Sequence, residues 1–285
     1  MVEISEETGQ LIVRIGGQEY TRYRFGVDCW KPYLFPLRAV NGLSLLADSP
    51  TDHRHHHGLW VGHGRVNEND FWLERHNSGR IVHDSFISLQ SGEEQGVFIA
   101  SNSWVNQAGE TVLKDVRTFT FYDLPTDSRW FDFEILLSSP NDETITLQPT
   151  NESGIPHIRA AEGLTVKTGG CLTNSEGKLN EKGTYRQKAV WLDCSGTLGR
   201  LSCGFALFNH PDNPENPVSW FTRDYGPFAP NESFFVGDPI LISPDSPLRL
   251  RYRLFTHAGN AEEGEVSAAY EAYRHSVRGL ELVSA

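Results

Sequence analysis

The sequence predicts an all-β, mainly antiparallel protein, built as a large twisted β-sandwich with one C-terminal helix. Three observations predict it. Short runs rich in β-branched and aromatic residues recur along the chain, each bounded by turn residues. The 26 glycines and 15 prolines are spread over all 285 residues, as many short turns require. Helical periodicity is convincing in one place only, close to the C-terminus.

The elements follow in order. Leu11–Ile15 and Tyr20–Phe25 flank Gly16-Gly17, a hairpin signature. Val97–Val105 and Thr111–Tyr122, joined through Asn106–Gly109, predict a second hairpin. Its second strand puts Val116, Thr118, Thr120 and Tyr122 on one face, and Arg117, Phe119 and Phe121 on the other. Trp130–Leu137, Thr144–Leu147, Leu164–Lys167, Ala189–Asp193, Gly204–Phe208 and Leu248–Thr256 read as further strands. The helix is expected over Ala261–Val277, with Asn260 as its N-cap and Val266, Tyr270, Tyr273 and Val277 as its apolar face. Strand patterns continue on both sides of the Pro/Asn-rich stretch His210–Val218, so the whole chain, 1–285, reads as one sandwich domain.

Charge narrows the function. The 25 basic and 37 acidic residues leave a net charge of −12, which repels phosphate backbones and argues against nucleic acid. No apolar run is long enough to span a bilayer, and the acidic N-terminus lacks a signal-peptide pattern. Cys29, Cys171, Cys194 and Cys203 are scattered, as expected of free thiols in a reducing cytoplasm. Dinucleotide, Walker, HExxH and GxSxG motifs are absent.

Three polar islands remain. In the first, five of the 11 histidines fall between residues 53 and 63. If that stretch is extended, His53, His55 and His57 share a face, opposite His56. Such a face suits proton transfer or sugar binding. It also permits a divalent metal held by His53, His55 and His57 or His63, although no carboxylate at fixed spacing completes a metal triad. Asp52 and Trp60 flank the cluster, and Gly58 and Gly62 allow close backbone approach. The second island carries His157, Arg159 and Glu162, with His157 and Arg159 two apart on one strand face. The third runs from His210 to Gly226. There Trp220, Arg223 and Tyr225 offer an aromatic face and a planar cation for a sugar ring, with Asp224 beside them. His257, ending its strand, is a further candidate.

In order, these pieces resemble a bacterial family labelled PmoA-like. The matching segments are Lys31–Tyr33 with Pro36-Leu37, Asp52–His56 with Gly58–Trp60, Phe71-Trp72, Asn174–Gly177, and Trp191 with Asp193. His210–Pro214, Trp220–Gly226 and Leu248–His257 follow. The family carries Arg where this chain has His57 and an aromatic where it has His63. The membrane methane monooxygenase subunit that shares the label is built of transmembrane helices, so the resemblance does not imply methane oxidation. It implies a galactose-mutarotase-like sandwich and a place among bacterial sugar-catabolic proteins.

The resulting expectation is a carbohydrate-active isomerase, lyase or hydrolase that needs no cofactor. His55, His56 and His157 exchange protons with a sugar or keto-sugar, and Glu162 or Asp224 assists as base. Asp52, Trp60, Arg159, Trp220, Arg223, Tyr225 and His257 bind the substrate. A His-ligated metal enzyme and a non-catalytic sugar-binding sandwich are the alternatives, and a homo-oligomer fits any of the three.

Overall fold

A computed structural model describes residues 1–124, 128–231 and 237–284, with side chains as far as residue 276. Among the described residues, two large antiparallel sheets face each other. One has nine strands, in the order Val2–Glu7, Gln10–Ile15, Gln18–Arg24, Tyr33–Leu37, Leu59–His63, Ser153–Arg159, Pro227–Pro230, Val218–Thr222 and Lys188–Ala189. The other has eight, in the order Cys171–Asn174, Trp191–Leu198, Leu201–Asn209, Leu248–Ala258, Arg129–Ser138, Thr111–Tyr122, Gln95–Val105 and Arg80–Gln90. Ile145–Leu147 pairs separately with Ile240–Ile242.

The alternation read from Thr111–Tyr122 holds: Leu113, Asp115, Arg117, Phe119 and Phe121 are buried, and the residues between them are not. Their apolar members join one core with Leu11, Val13, Leu34, Leu59, Val61 and Ile158 of the opposite sheet. Edge-on contacts of Tyr20 with Phe121 and Phe131, at 6.3 and 6.4 Å, and the Tyr252 hydroxyl donating to the Ile155 carbonyl at 2.9 Å, tie the sheets together. The Asp115–Arg117 ion pair survives burial because its remaining groups are bonded. Asp115 accepts from Asn102 and the Trp104 indole, and Arg117 donates to the Pro32 carbonyl.

Three expectations are corrected. Leu164–Lys167 is not a strand but a turn running into the 3-10 turn Val166–Thr168. A five-residue helix, Asn180–Thr184, joins the C-terminal one. The C-terminal helix spans Val266–Ser284, later than expected, because Asn260 caps a separate turn. The Asn260 side chain accepts from the backbone of Glu262 and Glu263, and Glu263 accepts from the Asn260 backbone in return. Val266, Tyr270 and Tyr273 pack on Trp191, Phe208 and Phe255 as the periodicity required. Val277, the fourth residue of that face, lies outside the described side chains. Among the described residues no helix is long and apolar enough to cross a membrane.

Candidate functional site

The site grows on the first sheet, on the face turned away from the core. Tyr33, Trp60 and His157 stand in register across three adjacent strands. A bulge between Gly154 and His157 adds a residue opposite Trp60–Gly62 and re-aims the His157 ring. Only glycine fits at 154, where an added Cβ would come 2.0 Å from the His157 Cβ. The segment before the strand Leu59–His63 is a run of turns, not an extended strand, so His53, His55 and His57 do not share a face. It folds over the row instead. Gly58 makes this possible, since a Cβ there would meet the Leu34 carbonyl oxygen at 2.0 Å.

The rings then form a column. His56 lies over Trp60 at 5.1 Å, His53 stacks on His56 at 4.6 Å, and Tyr225 stacks on His53 at 5.0 Å. His55 meets His56 edge-on at 4.6 Å, and Trp72 packs on both Trp60 and His157 at 5.5 and 4.8 Å. Arg159 spans the column. It donates twice to Asp52, at 3.0 and 2.8 Å, donates to His56 Nδ1 at 3.3 Å, and lies 5.0 Å over the Tyr225 ring. Phe221, 5.4 Å from His157, carries the cluster on to Arg223, whose guanidinium covers the Phe221 and Tyr185 rings at 4.6 and 4.2 Å.

Hydrogen bonds fix the protons. Guanidinium can only donate, so His56 Nδ1 is an acceptor and Nε2 carries the hydrogen of the neutral ring. His157 Nδ1 faces the Ser153 carbonyl at 3.1 Å and must donate, which leaves Nε2 with its lone pair. Both His157 Nε2 and the Trp60 indole nitrogen are buried and find no hydrogen-bond partner among the described residues. Burial, then the neighbouring cations and imidazoles, holds all three rings neutral. His55 is pushed down to about 4, His157 to about 3, and His56 far below its ordinary value.

His57, adjacent in sequence, belongs to a different network. Its Nδ1 meets Asp48 and its Nε2 meets Glu74, each at 2.7 Å, while its ring stacks on Tyr33 at 4.5 Å. Burial works against its charge, but the two carboxylates outweigh it and raise its pKa. Lys31, itself buried, bonds Glu74 at 3.1 Å and the Trp72 carbonyl at 2.7 Å, and Tyr33 donates to Asp48 at 3.1 Å. Two cations thus balance two carboxylates. Asp70, accepting from the Trp72 and Leu73 backbone, fixes the turn that presents Trp72.

The structure therefore brings together Asp52, His53, His55, His56, Trp60, His157, Arg159, Arg223 and Tyr225. It leaves out Glu162, Trp220 and His257. Glu162 is exposed on the turn after its strand, and nothing among the described residues links it to the imidazoles. Trp220 points into the core, donating to the Ala189 carbonyl at 3.0 Å; its neighbour Phe221 takes the outward place, because side chains alternate along a strand. His257 lies on the helix side of the second sheet, bonded to Asp193 at 2.7 Å. Asp224 accepts from the Glu181 backbone and so anchors the short helix. A metal at His53, His55 and His57 is not supported, since His57 is turned to its carboxylates. Among the described residues no group of three His, Cys, Asp or Glu is placed to hold an ion. His63 bonds the Gln148 carbonyl at 2.9 Å instead.

Sequence reasoning passed over Trp72, Phe221 and Tyr185, and the Lys31–Glu74–His57–Asp48 network. Trp72 had a signal, since Phe71-Trp72 is one of the segments of the resemblance, but no site role was given to it.

A family model covers residues 10–271 of this fold. The chain belongs to that family, DUF6807, a family of unknown function. No curated protein matches the chain.

Proposed function

We propose that the imidazole column binds a sugar or keto-sugar and exchanges protons with it. The observation that carries this reading is a contiguous set of neutral imidazoles, His55, His56 and His157, on an aromatic face. A neutral imidazole can both accept and donate a proton, and stacked rings beside a planar cation suit a pyranose and its hydroxyls. His55, half-buried, and His56, buried beside it with Nε2–H as its free donor, are the proton carriers. His157 lies behind them as a buried acceptor. His53, Trp72, Tyr225 and Arg223 position the ring, and Arg159, clamped by Asp52, fixes the tautomer of His56. The chemistry is isomerisation, elimination or glycoside cleavage in the cytoplasm, without a cofactor. The resemblance to the PmoA-like family leans the same way.

A non-catalytic sugar-binding role is the second reading, favoured by one observation. A base held near pH 4, as His55 is, loses driving force relative to one poised near neutrality. The test is a panel of keto-sugars and glycosides followed by NMR in D₂O. Solvent exchange at a substrate carbon or product formation, lost in His56→Gln, supports catalysis. Saturable binding without chemical change supports the second reading. No binding of any member, with the panel spanning both classes, overturns both.

A further inference from the structure

A second candidate lies between the sheets and shares no lining residue with the imidazole column. A cavity of about 260 Å³ is enclosed by Arg38, Ala39 and Val40 after the strand Tyr33–Leu37, by Leu45, and by Leu201, Cys203, Arg129 and Thr256 of the second sheet. Its volume is a little below the roughly 300 Å³ at which drug-sized pockets begin, so it suits only a compact ligand. Most of its wall is apolar, and Val40 at its mouth is 65% exposed.

The charges around it do not balance. Glu19 is shared between two guanidiniums, bonding Arg22 at 2.6 Å and Arg38 at 2.7 Å. Arg129 lies 5.7 Å over the Tyr20 ring, and its backbone carbonyl is held by the Thr256 hydroxyl at 3.0 Å. Among the described residues no carboxylate is in ion-pair range of Arg129. Two guanidiniums, Arg38 and Arg129, thus line an apolar cavity, and among the described residues only Arg38 has a carboxylate, Glu19, in ion-pair range. A partly desolvated guanidinium without a counterion is best matched by a planar anion that bonds it bidentately. His257 also lines the cavity, but its ring is paired with Asp193 at 2.7 Å and stacks on Phe255, so that pair leaves the balance unchanged.

We propose that this cavity binds a small monocarboxylic acid with a compact apolar body, its carboxylate on Arg129 and its body against Leu45, Leu201 and Cys203. The site shares no residue with the imidazole column, so it stands or falls independently of the proposed sugar chemistry.

The test uses the full chain and benzoate, with benzyl alcohol as the uncharged probe of the same shape and inorganic phosphate as the anion without a body. Titrations followed by isothermal calorimetry and by the Thr256 methyl resonance should show saturable benzoate binding. Arg129→Gln should weaken it at least tenfold, since a charge-assisted hydrogen bond is lost. Benzyl alcohol and phosphate should each bind at least tenfold more weakly than benzoate. Leu201→Trp, which fills the cavity and leaves Arg129 in place, should abolish binding while the melting temperature stays unchanged. Equal affinity for benzoate and benzyl alcohol, phosphate binding as tightly as benzoate, no saturable benzoate binding, or full affinity in folded Arg129→Gln would each overturn the assignment.

Discussion

His56 and His57 are consecutive in the chain and opposite in chemistry. His56 lies among rings and beside a guanidinium that claims its Nδ1 lone pair, and it stays neutral. His57 has a carboxylate on each nitrogen and is held as a cation. His257, with Asp193 on one nitrogen and the Ala258 carbonyl on the other, resembles His57: burial opposes its charge, and Asp193 prevails. The burial of these rings is similar, so burial does not decide. What decides is whether a carboxylate faces the ring. The neutral rings can trade protons, and the charged ones hold structure.

The largest expected effect comes from removing the cation at 57. His57→Leu leaves Asp48 and Glu74 facing each other across an apolar side chain, at a cost of about 3–5 kcal/mol by urea denaturation. His57→Arg should recover most of that stability, because guanidinium supplies a permanent cation with two forks of donors. Arg at this position is also what the PmoA-like resemblance implies. A His57→Leu protein as stable as the parent would remove the contrast altogether.

The pH dependence of stability should split by region. The folded pKa of His157, about 3, lies below the ordinary 6.5, so the unfolded chain binds its proton first. Its contribution is whole above about pH 6.5 and falls towards pH 3, by about 1.4 kcal/mol per unit. His57 and His257, with raised pKa values, have the reverse sign. Their contribution is whole below 6.5 and is lost as pH rises through the folded values. The alkaline loss should shrink in His57→Arg, and the acid loss should not. NMR titration of His157 showing a midpoint near 6.5 would contradict the neutral-cluster side.

A smaller effect separates site from scaffold. His56→Gln keeps a polar side chain against Arg159 and should cost about 1–2 kcal/mol, within the usual range for a partly conservative buried change. It should nevertheless abolish turnover or binding in the sugar panel. A stable variant with undiminished binding would move the site elsewhere on the sheet. The smallest effect is the control. Asn260→Ala, which removes the cap of the turn beside His257, should cost about 1 kcal/mol in the melting curve and leave sugar binding unchanged.

The sequence by itself determined the sandwich, because strand alternation and helical period are local and each is written in a handful of neighbouring residues. It also pointed to the segments that come together as the candidate site: the histidine run, the strand of His157 and Arg159, and the loop of Arg223 and Tyr225. Tertiary structure decided the rest. Trp220 and Phe221 are adjacent aromatics, and only the sheet's register says which one faces outward. The spacing of His53, His55 and His57 suggested a shared face, yet the segment turns and His57 swings to carboxylates 9 and 17 residues away along the chain. Glu162 and His257 have suitable chemistry but face solvent and Asp193. Residue type sets what a side chain can do. Its charge state and its partners depend on atoms brought close only by folding, and that long-range information is not present in any local stretch of the chain.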